Sequence, residues 1–381
     1  MKKKIAIIVI FVFSLVFSII GWPLLAKIDS KVNLDENRNP TPFPEFNNEF
    51  FLNFDNYFID RVPIRKSSIK NMTNIELALN KLYNKILLSL NIDDYYITQN
   101  QVVFGENDWL FYTGDNSIEH YKGTNLPSQE ELDVYLNRVQ KVGNYFESIG
   151  KEFVIYVAPN KERMYAENMP KGIKVVSETK RIDLIKQHID QNSNVKMVYP
   201  YLELTEQKNI EQQLYYKWDT HWNKLGAYYA FCELYSAIGG EAAPISYECK
   251  NIFADRDLQL MIAKEKGEDL EYFTNYRPEI SCQISLDGSK YISKSNNPNG
   301  KKLLLFGDSF RIVGTIDYLS KEFTDCIMAD RLLDIHSFLS GQWGVGFEEY
   351  DVIVLECVER FQNDIFGDEG TLQKIINELG L

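Results

Sequence analysis

The sequence predicts an α/β fold in which a parallel sheet is covered by helices on both faces, with a hydrophobic helix at the amino terminus. Three observations support this class. Short apolar runs alternate with amphipathic segments of helical length, which is typical of strand–helix–strand units. The 381 residues are 45% hydrophobic, enough to bury a full core. An uncharged stretch of membrane-spanning length follows three consecutive lysines at the start of the chain.

The amino-terminal stretch, residues 1–27, is predicted to be a transmembrane signal anchor. As a helix, Ile5 to Ala26 would extend about 33 Å, enough for a bilayer core of about 30 Å. The preceding lysines are expected to stay inside, which places the rest of the protein outside the cytoplasm as a single-pass protein of the cell membrane. A cleaved signal peptide is the alternative. An uncleaved anchor is favoured because the apolar run is long and no small residue stands two before Ala26.

Residues 28–95 are predicted to form an extracytoplasmic connector and a helical segment. Pro40, Pro42 and Pro44 alternate in a polar stretch, which suits an extended linker. The apolar positions from Ser67 to Leu90 approximate helical spacing.

Residues 96–381 are predicted to form the main domain. A β-hairpin joins Val102–Gly105 to Trp109–Tyr112, and residues 241–300 are polar and irregular enough to predict a surface excursion. Predicted helices lie at 128–149, 178–189, 224–238 and 371–379. Predicted strands lie at 153–158, 195–199, 303–306, 324–329 and 352–356.

Charge and cysteine content exclude some classes of function. The formal net charge of -13 argues against nucleic acid as a partner, because phosphate binding depends on clustered lysine and arginine. The five cysteines lack the close spacing of a zinc or redox site, although Cys249 and Cys282 stand in polar surroundings and are candidates for a pair.

Two short motifs carry the residue types of nucleophilic catalysis. The first is Asp219-Thr220-His221-Trp222, and the second is Gly307-Asp308-Ser309-Phe310, directly after an apolar run. A strand that turns into a helix at Ser309 would place the hydroxyl at the carboxyl edge of a parallel sheet, where such folds bind ligands. Serine needs a base, and the base needs a carboxylate to orient it. His221 and Asp219 are the candidates for those roles.

Each motif also has a structural interpretation. Gly-Asp-Ser after a strand is a common tight turn with a helix cap, and Asp-x-His before a helix is less specific still. The two motifs together favour catalysis, because the chain has only four histidines. A metal site at Asp219 and His221 would need a third protein ligand, which the sequence does not reveal, so no metal is predicted.

Several further segments match a known family in order. They are Val103-Phe104-Gly105, Trp109-Leu110-Phe111-Tyr112, Ala158-Pro159-Asn160-Lys161, the two motifs above, Val354-Leu355-Glu356 and Glu359-Arg360. Over roughly residues 100 to 362 the chain therefore resembles the SGNH-hydrolase-like polysaccharide O-acetyltransferases of the alginate O-acetylation type, also called the DHHW family.

The resemblance implies a three-layer α/β/α domain whose Asp-x-His precedes the nucleophile, a circularly permuted order. It implies Ser309 as nucleophile, His221 as general base and then acid, and Asp219 as the orienting carboxylate. Thr220 stands where the family name has a second histidine. The Gly-x-Asn-Asp block of ordinary SGNH hydrolases is not found, so backbone N–H groups near Ser309 and Phe310 are the expected oxyanion donors.

The candidates for oxyanion or substrate binding are Phe310, Asp308, Lys161, Trp222 and Arg360. Lys161 follows a strand and would reach the cleft or stay in solvent. Trp222 would pack on a sugar or, more in keeping with its surroundings, in the core. Arg360 would contact substrate or, as we favour from the nearby Glu356 and Glu359, form a structural ion pair.

The predicted function is acetyl transfer to hydroxyls of an exported or cell-wall polysaccharide. The resemblance implies no cofactor and a membrane-bound O-acyltransferase partner as acyl donor. An acetyl esterase and a non-catalytic carbohydrate-binding or scaffold subunit remain alternatives. A polyanionic acceptor is disfavoured by the acidic composition, unless Lys161, Arg163, Lys217 and Arg311 gather at the cleft.

Overall fold

The computed structural model describes residues 98–381, except 212, 263–266, 276–280, 285–290, 295–299 and 314, together with isolated positions before residue 98. The predicted anchor, and nearly all of the predicted connector and helical segment, lie outside the described residues. Within the described part of the chain, no helix is both long enough and apolar enough to cross a membrane.

The chain divides into two compact units. One comprises residues 1–82 with 259–265, and the other comprises 83–258 with 266–381. The second unit holds nearly all of the described residues, and the sheets and the candidate site belong to it.

Twelve strands are present in the described residues. They are β1 Thr98–Gln99, β2 Val102–Phe104, β3 Leu110–Tyr112, β4 Glu152–Ala158, β5 Lys196–Val198, β6 Tyr247–Ala254, β7 Gly267–Thr274, β8 Ser281–Ile284, β9 Tyr291–Lys294, β10 Lys302–Gly307, β11 Asp325–Asp330 and β12 Val352–Val358. The predicted hairpin is confirmed as the antiparallel pair β2–β3, which β1 extends to three strands.

The main sheet has seven strands in the order β5-β4-β12-β10-β11-β9-β8. The first five are parallel, as predicted, with Phe306 of β10 beside Leu355 of β12. The last two, β9 and β8, are antiparallel additions at one edge. The carboxyl ends of β4, β12 and β10 therefore lie side by side, which is the edge where the candidate site forms.

The described residues also form eleven α-helices. They are α1 Ser117–Lys122, α2 Gln129–Ser148, α3 Lys161–Met164, α4 Arg181–Asn192, α5 Tyr201–Glu211, α6 Lys224–Ala237, α7 Asp257–Met261, α8 Thr315–Glu322, α9 Asp334–Leu339, α10 Asn363–Phe366 and α11 Thr371–Leu379. A capping box at Ser128, whose Oγ accepts from the N–H of Glu131, starts α2 where the sequence predicts it.

The core consists of two apolar clusters, one on each face of the sheet. Val154 and Tyr156 of β4 belong to one cluster, and Phe153 and Ile155 belong to the other. Alternate residues of a strand point to opposite faces, so a strand buried on both sides reads as a continuous apolar run. This arrangement explains why β4, β10 and β12 are visible in the sequence.

The predicted surface excursion at 241–300 is wrong in part. It contains the antiparallel ribbon β6–β7 and also β8 and β9, which join the main sheet. The residues of β6 are almost all exposed or half-buried, so backbone pairing forms this ribbon without an apolar pattern that the sequence could show.

Candidate active site

Ser309 lies just beyond the carboxyl end of β10, as the sequence predicts. The chain does not pass directly into a helix there but makes a 3-10 turn, Ser309–Arg311, before α8. Asp308 precedes the turn, and its Oδ1 accepts a hydrogen bond of 2.9 Å from the N–H of Phe310. The turn leaves Ser309 exposed at the edge of the sheet.

The histidine motif lies on a tight backbone hairpin before α6. Tyr215 and Trp222 form an antiparallel bridge, and the Tyr216 N–H donates to the carbonyl of His221 at 3.2 Å. Asn223 then caps α6, its Oδ1 accepting from the N–H groups of Leu225 and Gly226. The cap and the bridge fix the direction in which His221 leaves the loop.

The structure brings Ser309, His221 and Asp219 together in one chain of hydrogen bonds. The Oγ of Ser309 is 2.7 Å from Nε2 of His221, and Nδ1 of His221 is 2.6 Å from Oδ1 of Asp219. The same Asp219 oxygen accepts from the His221 backbone N–H at 3.1 Å. This geometry permits a proton to pass from the serine hydroxyl to the imidazole while the carboxylate fixes the tautomer.

Electrostatics favour the ionised carboxylate and a basic imidazole. Burial disfavours the charged form of His221, but the hydrogen bond and the charge of Asp219 outweigh it, so the pKa of His221 is raised above its usual value of 6.5. Burial alone would raise the pKa of Asp219. The hydrogen bonds from His221 reverse that effect, and the pKa of Asp219 is lowered far below its ordinary range.

Asp257 is a fourth member of the site that sequence reasoning missed. Its Oδ2 is 3.7 Å from Nδ1 of His221, and its backbone N–H donates to Oδ2 of Asp219 at 3.3 Å. The two carboxylate oxygens of Asp257 also bind Thr220. Oδ1 accepts from the Thr220 N–H at 2.8 Å, and Oδ2 accepts from the Thr220 hydroxyl. Asp257 follows the β6 ribbon, and as one carboxylate in a polar stretch it carries no sequence signal.

Asp219, His221 and Asp257 together offer three atoms within 4.8 Å that could hold a metal ion, so the third ligand that the sequence does not reveal is present. The spacing fits a proton relay better. Tetrahedral zinc at about 2.0–2.1 Å from each ligand separates ligand atoms by roughly 3.3 Å. The 2.6 Å between His221 Nδ1 and Asp219 Oδ1 is a hydrogen-bond distance.

Lys161 does not lie in the cleft or in solvent; both sequence-based expectations are wrong. It is 1% exposed, and its Nζ donates to the carbonyls of Leu110, Lys217 and Asp219 at 2.7, 2.7 and 2.8 Å. Three acceptors use all three donors of an ammonium group. Burial lowers the pKa of Lys161 to about 8, although Asp269 and other carboxylates oppose the change. Lys161 therefore ties the β3 strand to the loop that carries Asp219.

Asp308 and the backbone N–H of Phe310 bind each other, which contradicts the expectation that the Phe310 N–H is an oxyanion donor. The Asp308 carboxylate is buried and accepts from the N–H groups of Phe310 and, at 2.7 Å, Val358. Because the Phe310 N–H is engaged there, it is not an open oxyanion donor. Among the described residues the backbone N–H of Ser309 has no such acceptor, so it is the available donor at the nucleophile.

Trp222 is a core residue, as its surroundings suggest. It is fully buried, and its indole N–H donates to the carbonyl of Val313 at 2.8 Å. Phe310 packs edge-on against it at 4.9 Å between ring centroids and lies 4.7 Å from the His221 ring. Trp222 packs against Phe310, which in turn packs against the imidazole of His221. Because the Trp222 side chain is fully buried, it is not available to pack on a sugar.

Arg360 does not form the ion pair favoured from the sequence. Within the described part of the chain, no carboxylate lies within ion-pair distance of its guanidinium and its buried Nε has no acceptor, although its charge acts to lower the pKa of the buried Glu162. The Glu359 carboxylate instead accepts from the N–H of Asn160 and the hydroxyl of Tyr199. The guanidinium carbon lies among three rings, 5.4 Å from Tyr112, 5.9 Å from Phe310 and 5.0 Å from Phe361.

Part of the chain that holds the site matches a known protein family. Residues 102–258 match a family model described as ALGX, the SGNH hydrolase-like domain of the acetyltransferase AlgX. The matched segment contains Asp219, His221 and Asp257 and ends before Ser309. The resemblance to the SGNH hydrolase-like acetyltransferases is confirmed.

The chain is also similar to individual proteins. The probable alginate O-acetylase AlgJ of Pseudomonas syringae pv. tomato is 27% identical over 198 residues, 50% of this chain and 43% of the relative. The match therefore spans less than half of that curated relative. Bacillus cereus PatB1, solved with a sulfonyl adduct, aligns with a TM-score of 0.52 and 12% identity over 71% of this chain and 98% of its own.

A DHHW family protein from Eubacterium siraeum aligns with a TM-score of 0.50 and 16% identity, over 73% of this chain and 96% of its own. At these identities the two solved structures show that this chain shares their fold and no more.

Proposed function

We propose that this protein is a membrane-anchored O-acyltransferase outside the cytoplasm, which moves an acetyl group through an acyl-serine to hydroxyls of an exported or cell-wall polysaccharide. The observation that carries the proposal is the unbroken hydrogen-bond chain from Ser309 through His221 to Asp219. The AlgX-type family match and the similarity to an alginate O-acetylase support the acetyl group and the class of acceptor.

In the first half-reaction, Ser309 Oγ forms a bond to the acyl carbonyl carbon while its proton passes to Nε2 of His221. The tetrahedral intermediate collapses, and the donor oxygen leaves with the proton from His221. In the second half-reaction, a sugar hydroxyl attacks the acyl-serine and gives its proton to His221. Collapse releases the acetylated sugar, and the Ser309 oxygen takes the proton back. Every step uses side chains of this protein, so the proposal includes no cofactor.

The acyl donor and the location belong to the same proposal. A domain outside the cytoplasm has no access to acetyl-CoA, so a partner must deliver the acetyl group. We assign that role to a membrane-bound O-acyltransferase, beside which the predicted anchor, residues 1–27, would hold the domain.

An acetyl esterase would use the same acyl-serine, resolved by water in place of a sugar hydroxyl. The two are distinguished by incubating the purified protein with an acetyl donor and oligosaccharide. Acetylated oligosaccharide indicates transfer, and free acetate alone indicates hydrolysis. A non-catalytic scaffold would have no need for a serine held 2.7 Å from an imidazole, so the geometry disfavours it.

The direct test replaces Ser309, His221 or Asp219 by alanine in the full-length protein and measures polysaccharide acetylation. We expect each replacement to reduce the rate about 10⁴-fold or more, as loss of a triad member does in other enzymes. A sulfonyl fluoride probe is expected to label Ser309 in the unmodified protein.

Ser128→Ala is the matched control, because it removes a serine that caps α2 and is expected to leave activity unchanged. Retention of acetylation by all three site variants, or labelling of a residue other than Ser309, would contradict the acyl-serine mechanism.

A further inference from the structure

Arg360 is a half-buried cation at the edge of the candidate site, and its guanidinium lacks the ion pair that other arginines of this protein form. Its Nε is buried and has no acceptor, and within the described residues no carboxylate lies within ion-pair distance of its guanidinium. Two other arginines with little exposure are paired. Arg138 contacts Asp368 and the carbonyl of Phe366, and Arg163 contacts Asp183. A charge that is partly removed from water without an ion pair costs free energy, so the position of Arg360 at the site points to a partner that arrives with the substrate.

The strand order places Arg360 beside the nucleophile. β12 is the parallel neighbour of β10, and the N–H of Val358, the last residue of β12, donates to the side chain of Asp308 at 2.7 Å. Ser309 is one residue beyond Asp308, and Arg360 is two residues beyond Val358. Both the imidazole and the guanidinium lie near the Phe310 ring, whose centroid is 4.7 Å from that of His221 and 5.9 Å from the guanidinium carbon.

The oxyanion side of the site is otherwise incomplete. A tetrahedral acyl intermediate carries a negative oxygen that needs about two donors. The N–H of Phe310 is occupied by Asp308, which leaves the N–H of Ser309 as one donor. The guanidinium lies beside the rings of Tyr112, Phe310 and Phe361, whose low polarity strengthens its interaction with a developing charge.

From this arrangement we infer that Arg360 is a catalytic residue whose guanidinium, with the backbone N–H of Ser309, stabilises the oxyanion of both tetrahedral intermediates. The inference rests on the proposed function and assigns the missing donor of its site. The carbonyl oxygen becomes negative when Ser309 Oγ adds to the carbon, and it returns to a carbonyl when the leaving oxygen departs. Arg360 stays protonated throughout and transfers no proton.

The alternative role for Arg360, binding a carboxylate of a uronic-acid acceptor, is less well supported. A polyuronate repeats its charge on successive sugars and requires several cations along a groove. Three of the four cations considered for that purpose are engaged elsewhere. Lys161 binds three carbonyls, Arg163 pairs with Asp183, and Arg311 donates to the carbonyls of Gly307 and Asp308. A single guanidinium suits one developing charge.

The test measures hydrolysis of 4-nitrophenyl acetate, a small neutral ester, by full-length Arg360→Met and Arg360→Lys proteins. We expect Arg360→Met to lower kcat about 10²–10³-fold with little change in KM, and Arg360→Lys to restore part of the loss. Loss of the positive charge facing His221 should also move the acidic limb of the pH–rate profile to higher pH, a change that a structural role would not produce. The other charged groups acting on His221, Asp219 and Asp257, are unchanged in both variants.

Arg138→Met is the matched control, because it removes a buried arginine on another part of the domain and is expected to leave kcat unchanged below its unfolding temperature. If Arg360→Met keeps kcat for the neutral ester within about threefold of the unmodified protein, the inference is overturned. A raised KM for a uronate acceptor would then identify the alternative. An unmodified protein that hydrolyses no ester and takes no label at Ser309 overturns the proposed function and this inference with it.

Discussion

At the scale of single residues, the site depends on the charge that surrounds one imidazole. Asp219, two residues before His221, and Asp257, 36 residues after it, approach Nδ1 of His221 at 2.6 and 3.7 Å. Both negative charges raise the pKa of His221, although its burial acts in the opposite direction. A general base must be neutral to accept a proton, so kcat/KM should rise as pH increases through this raised pKa and level off above it.

Asp257→Asn tests the contribution of the second carboxylate. Removing its charge lowers the pKa of His221, so the acidic limb of the pH–rate profile should move to lower pH, by up to about one pH unit. The new amide oxygen can still accept the Thr220 N–H, which preserves the loop. The measurement is kcat/KM between pH 5 and 9. Asp133→Asn, a change on the exposed surface of α2, is the control and should leave the profile unchanged. An unshifted limb in Asp257→Asn would remove this role.

At the scale of elements, the loop that carries Asp219 is held by a lysine from another segment. Lys161 begins α3, and its ammonium group joins the carbonyls of Leu110, Lys217 and Asp219. The hairpin strand β3 and the histidine loop are therefore linked through one buried charge.

Lys161→Met should be strongly destabilising, because it leaves the carbonyls of Leu110 and Asp219 without a donor, whereas the Lys217 carbonyl keeps the N–H of Leu110. Each such group costs about 1–3 kcal/mol, so we expect a loss of at least about 2 kcal/mol in the free energy of unfolding, measured by urea denaturation. The control is Lys196→Met, which removes an exposed pair with Glu152 and should cost about 1 kcal/mol or less. A loss in Lys161→Met no larger than in the control would contradict the role of the buried lysine.

Elements with a strong apolar pattern could be predicted from the sequence, and those held by backbone pairing could not. β4, β10 and β12 are buried on both faces and appear as apolar runs. The β6–β7 ribbon is mostly exposed and carries no such pattern.

In the same way the motifs predict the placement of Ser309, His221 and Asp219, but nothing local marks Asp257, because its partners are 36 or more residues away in sequence. The role of Lys161 depends on three carbonyls, which have no side-chain signature.

At the scale of the whole domain, the sheet separates a layer that supports the site from a layer that supports only the fold. Trp222 and Phe310 belong to the cluster beneath the imidazole. Ile353 of the central strand β12 faces the opposite cluster. Damage to the two layers should therefore have different consequences.

Ile353→Val and Trp222→Phe test that separation. Ile353→Val should lower the free energy of unfolding by about 0.5–1.5 kcal/mol and leave kcat unchanged. Trp222→Phe removes the bond to the Val313 carbonyl and loosens the packing under Phe310, so it should lower both stability and kcat. Thermal unfolding and ester hydrolysis measure the two quantities. A fall in kcat for Ile353→Val equal to that for Trp222→Phe would show that the layers are not independent.

The position of β12 has a consequence for the order in which the domain is made. It is the last of the described strands in sequence, yet it lies between β4 and β10 and is paired with both. While a growing chain lacks residues 352–358, those two strands have unpaired edges and Asp308 lacks the backbone donor from Val358. Translation thus completes the histidine loop more than one hundred residues before the serine turn can take its final shape. A chain that ends before β12 already contains Ser309, His221 and Asp219, but it lacks both the strand that completes their geometry and Arg360.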